Sequence, residues 1–438
     1  MKEILKNNLQ FVLLLLSWLV VGMYGGPLVF AYVPLTLFLL KMRGRYAEII
    51  VGLHFILILS DNLEPPFAFA KNLKNIYILV IFLFFILDRK KLAPYSRFFK
   101  RFIPFFIIAF IALVYSETIF VSLQKTISYA IMFLTIPNYV LYLYRKDGSY
   151  FFRQLLYMGF AVVFIGYLMK YVNFEFAISH GGRMRGLFGN PNGLGIFLIV
   201  TFILFYTVTD RYKDLFSKQE KLLFYFIYFI ALVASGSRTS LVAVIMFFFF
   251  LRFYKMSPFL GFIIMLASII LVEVITSNLV VIVTSLGLED YFRLRTLQEG
   301  SGRLIAWRFA WENIQDYFFI GRGFAYDEFL MRSNFDRLSR MGHEGGVHNT
   351  YLIIWLNTGL IGLMLYFRGF LLSFIKAAKK TRLAMPAMFA ILFSINFEPW
   401  LAASLNPYTI VFLIIVTIMS EDEFYESHET LPELEKAD

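Results

Sequence analysis

Long apolar runs separated by short polar segments extend over most of the chain. A helix that crosses the hydrocarbon core of a bilayer needs roughly 20 apolar residues, and shorter helices are tolerated inside a bundle. The pattern therefore predicts about fourteen transmembrane helices, over residues 9–24, 27–40, 46–60, 75–88, 102–117, 119–144, 150–170, 191–209, 221–235, 239–254, 258–283, 347–375, 384–398 and 404–420.

The first two runs leave one alternative open. They are short and are joined by Gly25-Gly26-Pro27, so they could form one broken element, which would lower the count to thirteen. The first run has a basic start but no small-residue cleavage site, and we expect it to be retained rather than removed as a signal peptide.

The polar segments between the runs test this count, because Lys and Arg collect in cytoplasmic loops. Every second segment is basic, as fourteen spans with both termini in the cytoplasm require. The alternate segments are then predicted to face the periplasm or cell exterior. The basic segments are residues 41–45, 89–101, 145–153, 211–221, 252–255 and 376–382.

Composition supports a membrane protein. Hydrophobic residues make up 59% of the 438 positions and charged residues only 16%, against about a quarter in soluble domains. The net charge of +11 would suggest nucleic acid in a soluble protein. Here the basic residues alternate with apolar runs, so topology explains them and no nucleic-acid partner is expected. The absence of cysteine excludes disulfides and thiolate metal sites.

The predicted fold class is thus an all-α polytopic membrane protein with one long, partly helical outer loop. We divide the chain into N-terminal transmembrane helices, transmembrane helices carrying arginine motifs, the long loop, C-terminal transmembrane helices and an acidic cytoplasmic tail. The tail is expected to be disordered and solvated. The five segments cover residues 1–170, 171–286, 287–346, 347–420 and 421–438.

Few ionisable residues fall within the predicted spans. His54 is expected to be a hydrogen-bonded structural histidine, and Glu273 a partnered carboxylate, with a proton relay as the alternative. Glu117 and Glu398 lie near outer helix ends. Pumps and transporters usually carry ionisable groups at mid-depth. Their scarcity argues against a proton-driven pump.

Arginines are concentrated instead on the predicted outer side. Arg183 and Arg185 precede a helix predicted to begin near Pro191, with Asn190 as its N-cap. Arg238 lies in a short loop near the outer membrane–water interface. The long loop has arginines but no lysine between residues 291 and 346, at positions Arg293, Arg295, Arg303, Arg308, Arg322, Arg332, Arg337 and Arg340.

The preference for arginine in the long loop points to more than positive charge, because its planar fork binds phosphate bidentately. For most of these arginines we expect ion pairs with the carboxylates of the loop. Arg303 is the exception. It opens a predicted amphipathic helix with Ser301 as N-cap and Gly321 just past its end, and the predicted apolar stripe is Leu304, Trp307, Trp311 and Ile314.

A cation in the first turn of a helix opposes the helix dipole, so Arg303 is poorly placed for stability. A Gly-Ser-Gly entry leaves backbone N–H groups open, and an anion bound there would offset that penalty. We therefore predict anion binding at Arg303.

His348 and Asn349 lie where the long loop re-enters the membrane. An imidazole at such a boundary can accept a proton near neutral pH; the alternative is a histidine that only packs and hydrogen-bonds. His343 is expected to be a flexible bystander. Sequence signatures of zinc metalloproteases and serine hydrolases do not occur in the chain.

With these residues in hand, the chain resembles the O-antigen polymerase/ligase superfamily. The resemblance is best over residues 180–365 and rests on four weak motifs in a fairly specific order. The first motif fits either Arg183 or Arg185. The motifs are R-x-x-G-x-x-x-N-P-N ending at Asn190 to Asn192, G-S-R at Arg238, G-R-x-x-x-W at Arg303 and H-N-x-Y-L at His348.

The resemblance implies a GT-C-like, metal- and cofactor-independent, inverting glycosyltransferase of the bacterial inner membrane, with its site facing the periplasm. Donor and acceptor would be glycans linked to undecaprenyl diphosphate, and a chain-length regulator a further partner. It implies catalytic roles for His348, Arg303 and Arg238. Substrate-binding roles fall to Arg183, Arg185, Asn190, Asn192, Asn349 and Arg322.

Three functions remain open at this point. A polymerase joins repeat units to one another, whereas a ligase moves finished glycan onto lipid A–core. The predicted fourteen spans and the two arginines before Asn190 favour a polymerase. A flippase or exporter of lipid-linked sugars is the third reading, but it should carry charged residues at mid-depth in its spans.

Overall fold

The computed structural model describes residues 2–179, 181–285 and 300–425. Within these residues the protein is helical and contains no β-strand, only an isolated antiparallel bridge between Ile178 and Met184. The helices are α1 (Lys2–Tyr24), α2 (Val29–Met42), α3 (Tyr46–Asp61), α4 (Ala68–Leu87), α5 (Ile103–Ile111), α6 (Ile119–Val172), α7 (Phe174–Ala177), α8 (Pro191–Arg211), α9 (Lys218–Ser235), α10 (Arg238–Arg252), α11 (Pro258–Ser285), α12 (Gly300–Ile314), α13 (Tyr326–Ser333), α14 (Phe335–Arg340), α15 (Thr350–Ala378), α16 (Ala384–Phe397) and α17 (Pro407–Ser420).

The predicted all-helical membrane architecture is confirmed, whereas the count of fourteen spans and the GT-C-like fold stay predictions. Among the described residues, five stretches are long and apolar enough to cross a membrane, and several apolar helices are shorter. The long ones are Pro65–Leu87, Ile119–Val172, Pro191–Arg211, Pro258–Ile275 and Thr350–Ala378.

Two of the predicted boundaries can be compared directly with the structure. The runs predicted at 119–144 and 150–170 are two helical segments of α6, separated at Asp147, whose backbone angles are non-helical. The first two runs are separate helices that fold back on each other. The Trp18 indole donates to the Thr36 hydroxyl at 2.9 Å, and such a contact across 18 positions requires a hairpin.

The predicted cytoplasmic segments meet at one end of the helix bundle. Lys41 forms an ion pair with Asp88 at 3.1 Å, and Lys146 donates to the Gly44 carbonyl at 3.1 Å. Arg153 donates to the Leu215 carbonyl at 2.7 Å. The basic segments 41–45, 89–101, 145–153 and 211–221 therefore lie together, as one side of a membrane protein requires.

The beginning of the acidic tail packs against this basic end. Glu423 binds the Arg145 guanidinium through two contacts of 2.7 and 2.8 Å. The Phe424 ring stacks on Tyr144 with centroids 4.1 Å apart. The prediction of a disordered tail is therefore wrong for residues 421–425, because ion pairs and aromatic burial anchor them; residues 426–438 lie outside the described part of the chain.

At the opposite end the long loop is anchored to a break in α15. Gly359 has φ 69° and interrupts that helix. The freed Leu360 amide donates to the Phe318 carbonyl at 2.8 Å, and the Gly323 amide donates to the Asn357 carbonyl at 2.8 Å. The close approach needs glycine, because a β-carbon on Gly359 would lie 2.1 Å from the backbone carbonyl carbon of Phe319.

The predicted helix around Arg303 is present as α12, with two differences. It begins at Gly300, so Ser301 lies inside the helix rather than at its N-cap. Its buried face is formed by Ala306, Phe309, Ala310 and Ile314, while two members of the predicted stripe are about half exposed: Leu304 at 46% and Trp311 at 45%. The predicted loop arginines Arg293 and Arg295 lie outside the described residues.

Candidate functional site

Helix α12 is fixed against the start of α15 by tryptophans. The Trp307 indole donates to the Val347 carbonyl at 3.0 Å, and Trp311 packs edge-on against Trp355 with centroids 5.3 Å apart. Indole N–H groups of this kind normally find an acceptor when partly buried. These contacts bring the first turn of α12 to the segment that precedes α15.

Arg303, in that first turn, pairs with Glu398. Its Nη2 lies 3.2 Å from Glu398 Oε1, and its guanidinium lies over the Phe397 ring at 5.8 Å. Glu398 is only 5% exposed. Arg303 also interacts electrostatically with Glu273 of α11. The partners of Arg303 thus come from distant helices and not from the loop.

His348 faces the same carboxylate from the other side. Its Nδ1 lies 3.7 Å from Glu398 Oε2, an ion-pair distance that is too long for a hydrogen bond. Nδ1 is buried and has no hydrogen-bond partner among the described residues. His348 has φ 51°, a left-handed conformation that is uncommon outside glycine and is found at functional sites.

The other ring nitrogen of His348 faces a glycine-rich turn. A β-carbon on Gly345 would lie 2.8 Å from His348 Nε2, so only glycine allows the turn to pack this closely against the ring. His343 lies close by, with ring centroids 6.3 Å apart. His343 is 6% exposed and its Nε2 lies 3.1 Å from the Gly346 carbonyl. The prediction that His343 is a flexible bystander is therefore wrong.

Asn349 caps α15. Its side-chain oxygen accepts from the Leu352 amide at 3.0 Å, and its Nδ2 lies 3.4 Å from Asn396 Oδ1. The neighbouring Thr350 hydroxyl donates to the Glu398 carbonyl at 2.9 Å. The described contacts of Asn349 thus position the helix end that carries His348; a role in substrate binding stays a prediction.

A second group of predicted residues surrounds the turn between α9 and α10. Arg183 donates from Nε to the Ser235 carbonyl at 2.9 Å and from Nη2 to Asn192 Oδ1 at 2.7 Å. Gly236, with φ 57°, leaves room for the Arg183 side chain. Arg238 follows this turn as the first residue of α10 and is exposed. Arg183, Asn192 and Arg238 therefore lie close together.

Arg185 points elsewhere. Its Nη2 pairs with Glu64 at 2.7 Å and its Nε donates to the Phe176 carbonyl at 2.9 Å. The sequence motif left Arg183 and Arg185 equivalent. The geometry separates them, because only Arg183 contacts the turn that carries Arg238.

The N-terminus of α8 connects the two groups. Asn190 is its N-cap, as predicted, and accepts from the Gly193 amide at 2.8 Å. A β-carbon on Gly193 would lie 2.7 Å from the Tyr408 hydroxyl and 3.2 Å from Asp61 Oδ2. Tyr408 interacts electrostatically with Asp61 and with Glu398. The N-terminus of α8 thus lies next to Tyr408, which interacts electrostatically with the carboxylate of the Arg303–Glu398–His348 group.

Arg322 belongs to a separate group. It pairs with Glu117 at 2.5 Å, and its guanidinium lies 4.2 Å from the centre of the Tyr317 ring and 4.9 Å from that of Tyr326. These contacts hold the loop on the outer ends of α5 and α6. The described contacts do not bring Arg322 to Arg303 or Arg183.

Asp327 lies next to the Arg322 group, in the first turn of α13. Its carboxylate accepts from Asn357 Nδ2 at 2.9 Å, and its amide donates to Asn357 Oδ1 at 3.2 Å. Burial, with a smaller contribution from neighbouring Glu328, raises the pKa of Asp327 to about 6.

Lys74 forms contacts at the outer helix ends that were not predicted from the sequence. Lys74 donates to the Leu405 carbonyl at 2.9 Å and interacts electrostatically with Asp61, Lys125 and Glu328. The available signal was topological, because Lys71 and Lys74 lie at a predicted outer helix end, where lysine is not expected. His54 behaves as predicted, buried with Nε2 3.1 Å from the Pro407 carbonyl.

The remaining loop arginines do not form the expected ion pairs with those loop carboxylates that the structure describes; Glu289, Asp290 and Glu299 lie outside the described residues. Within the described residues, none of them pairs with a carboxylate, and Arg340 only donates to the Asp336 carbonyl at 3.1 Å. Those concerned are Arg308, Arg332, Arg337 and Arg340. The described part of the chain has no cluster of three or more His, Asp or Glu side chains able to hold a metal ion.

Comparison with known proteins gives one result. Residues 223–367 match the family model described as O-antigen ligase, which confirms the resemblance over that part of the chain. The matched segment contains Arg238, Arg303 and His348 and ends before Glu398. No curated protein matches the chain.

Proposed function

We propose that this chain, whose residues 223–367 carry the O-antigen ligase family domain, is a glycosyltransferase of the bacterial inner membrane that acts on lipid-linked glycans at its periplasmic face. It polymerises oligosaccharide repeat units carried on undecaprenyl diphosphate. The donor gives up its glycan from the diphosphate, and the acceptor is the sugar end of a second lipid-linked unit.

One observation carries the proposal. A guanidinium and an imidazole face the two oxygens of a single buried carboxylate, Arg303 at 3.2 Å and His348 at 3.7 Å from Glu398. Transfer from a diphosphate needs a cation for the leaving group and a base for the incoming hydroxyl. Both groups lie here at one end of the bundle and face the same carboxylate.

The reaction then proceeds with these roles. The acceptor oxygen attacks the anomeric carbon of the donor sugar, and the bond from that carbon to the diphosphate oxygen breaks. The electron pair goes to the diphosphate, whose growing charge Arg303 stabilises. The hydroxyl proton goes to His348, on whichever nitrogen faces the acceptor; with a proton on Nδ1 towards Glu398, Nε2 is the base. Attack opposite the leaving group inverts the anomeric configuration.

The second group extends the diphosphate site. Arg183 and Arg238 lie around the turn at Ser235 to Ser237, and Asn192 fixes the Arg183 guanidinium at 2.7 Å. Arginine forks held in this way bind phosphate oxygens with little reorganisation. We assign Arg183 and Arg238 to the diphosphate of the donor, and Arg185 to structure.

A ligase is the second candidate, favoured by the description of the matched family. It would use the same donor end, the same leaving group and the same histidine. Its acceptor would be lipid A–core instead of a second lipid-linked unit. The predicted fourteen apolar runs favour the polymerase.

The test uses the full-length protein purified into lipid nanodiscs and supplied with a lipid-linked repeat unit. We expect a ladder of products longer by whole repeat units without any added acceptor. A reaction that proceeds only when lipid A–core is added would replace the polymerase by the ligase. No transfer to either acceptor would contradict both.

A further inference from the structure

A cleft lies between α12 and α14 on the long loop, outside the site described above. Its volume is about 200 Å³. Its apolar lining residues are Leu304, Ile305 and Phe309 of α12 and Met341 after α14, of which Phe309 is buried and Leu304 and Met341 are about half exposed. Arg308, Glu312 and Arg337 also line it and form its charged rim. The cleft is therefore amphipathic.

The charged groups on this rim are available for a ligand. Arg308 and Glu312 are one helical turn apart, a spacing at which opposite charges often pair. They form no ion pair here, and within the described residues neither pairs with another charged group. Arg337 is held over the Phe309 ring at 5.6 Å rather than by a carboxylate. Among the described residues, the rim thus offers donors and an acceptor that have no charged partner.

The cleft and the Arg303 site are carried by the same helix. Trp307 turns towards the bundle, where it donates to the Val347 carbonyl, whereas Arg308 and Glu312 line the cleft. Arg308 follows Arg303 by five positions, which is about 7.5 Å along the helix axis and roughly 140° around it. The cleft therefore opens on a different face of α12 from Arg303. A saccharide whose diphosphate or reacting hydroxyl lies at Arg303 and His348 would reach the cleft by passing around α12, which needs several sugar units.

We propose that this cleft is a subsite for one sugar unit of the saccharide substrate, away from the bond being formed; the inference rests on the proposed function. A sugar ring has an apolar C–H face and a hydroxylated edge. The apolar lining of Ile305, Phe309 and Met341 suits the face, and Arg308, Glu312 and Arg337 bind the hydroxyls. The cleft is smaller than the roughly 300–1,000 Å³ of sites for drug-sized ligands, so it holds a single ring and not a whole repeat unit.

A subsite of this kind contributes binding without contact to the reacting atoms. Its loss therefore raises KM while kcat at saturation stays the same. The double substitution Arg308→Gln and Glu312→Gln removes both charges with little change in shape, and Arg332→Gln is the matched control on the loop surface. We expect KM for the lipid-linked unit to rise about tenfold, the effect of one or two lost hydrogen bonds. An unchanged KM, or a lower kcat at unchanged KM, would overturn the proposal.

A direct binding measurement separates this inference from the proposed function. The probe is the oligosaccharide released by mild acid from the cell's own surface polysaccharide, without lipid or diphosphate. Wild-type protein in nanodiscs and its Arg303→Lys variant should both bind the oligosaccharide in calorimetry. The Arg308→Gln/Glu312→Gln variant, with an unchanged melting temperature, should bind at least tenfold more weakly.

Equal binding by the double variant and wild type would overturn the sugar subsite, whether or not transfer is observed. If the double variant binds oligosaccharide normally but changes polymer length in cells, the cleft contacts a protein partner and the proposal is wrong. Conversely, weaker oligosaccharide binding by the double variant in a protein without transfer activity would leave the subsite standing while the proposed function fails.

Discussion

Arg303 and Glu398 are 95 positions apart in the chain, and their side chains lie 3.2 Å apart in the structure. The contact joins the first turn of α12, in the long loop, to the end of α16 in the bundle. A carboxylate that is 5% exposed needs such a partner, because an unpaired buried charge is costly. Glu398 therefore fixes the guanidinium and, through its other oxygen, faces His348.

The first prediction concerns this carboxylate. Glu398→Gln keeps the shape of the side chain and its hydrogen bond to Arg303 but removes the charge that faces His348. We expect kcat for glycosyl transfer to fall at least roughly tenfold, as for other carboxylates that orient a catalytic histidine. KM for the lipid-linked donor should change little, because Arg303 still binds the diphosphate.

Glu64→Gln is the matched control, since Glu64 also pairs with an arginine at 2.7 Å, but with Arg185. Its kcat should remain near wild type. Equal losses of activity in the two variants would mean that Glu398 has no special relation to the reaction.

The second prediction separates the two arginines of the first motif. Arg183→Lys should weaken donor binding and transfer by roughly tenfold or more, because a lysine cannot reproduce both the Ser235 and the Asn192 contacts. Arg185→Lys should retain most activity, since it retains a charge next to Glu64. Transfer assays on membranes containing equal amounts of each variant decide this; the reverse ranking would move the diphosphate site to Arg185.

The third prediction concerns pH. Burial raises the pKa of Asp327 to about 6, so the folded loop holds this proton more tightly than the unfolded chain does. The resulting stabilisation is fully present below the unfolded pKa of about 3.9 and is lost as the pH rises through about 6. Asp327→Asn keeps a neutral partner for Asn357 and should remove this pH dependence.

At pH 7.5 we expect Asp327→Asn to be more stable than wild type by about 1 kcal/mol, a value reduced for the partial exposure of Asp327. At pH 4 the two should unfold alike. The rate of protease cleavage of the loop, or the melting temperature, is measured for both proteins at both pH values. Either measurement gives the difference in stability. A constant difference across this range would mean that Asp327 does not titrate in the folded loop.

The fourth prediction tests the contacts of residues 421–425. Glu423→Gln removes a bidentate ion pair with Arg145 that is about four-fifths buried on both sides. Such an ion pair contributes more to stability than the usual surface ion pair does. We therefore expect a loss of about 1 kcal/mol in the free energy of unfolding. Asp336→Asn, an exposed loop carboxylate without an ion pair in the described chain, should leave the melting temperature in detergent unchanged.

The architecture could be predicted because hydrophobicity and charge act locally. Membrane-length apolar stretches identify spans without knowledge of their neighbours, and the basic segments that the alternation assigned to one side do meet, as Lys41 and Asp88 show. The N-cap at Asn190 could also be predicted from the local sequence, since its hydrogen bond involves only the residues that follow it.

The site could be predicted only in part, because its contacts join distant segments. No spacing in the sequence indicates that Glu398 faces both Arg303 and His348, or that Arg185 turns towards Glu64. Loop arginines and carboxylates were expected to pair because both are abundant there. The folded loop instead uses backbone contacts at Gly359 and tryptophans as anchors, which leaves several arginines unpaired in the described residues.

The most direct test of the account is a pair of measurements on His348→Asn in nanodiscs: transfer from the lipid-linked donor, and affinity for that donor. Asparagine tolerates the left-handed backbone at φ 51°, so the fold is retained. We predict a loss of roughly a hundredfold or more in the rate of transfer with donor affinity unchanged. Arg303→Lys should show weakened donor affinity, and Arg332→Lys neither effect. Transfer at the wild-type rate in His348→Asn would contradict the central claim that His348 is the base.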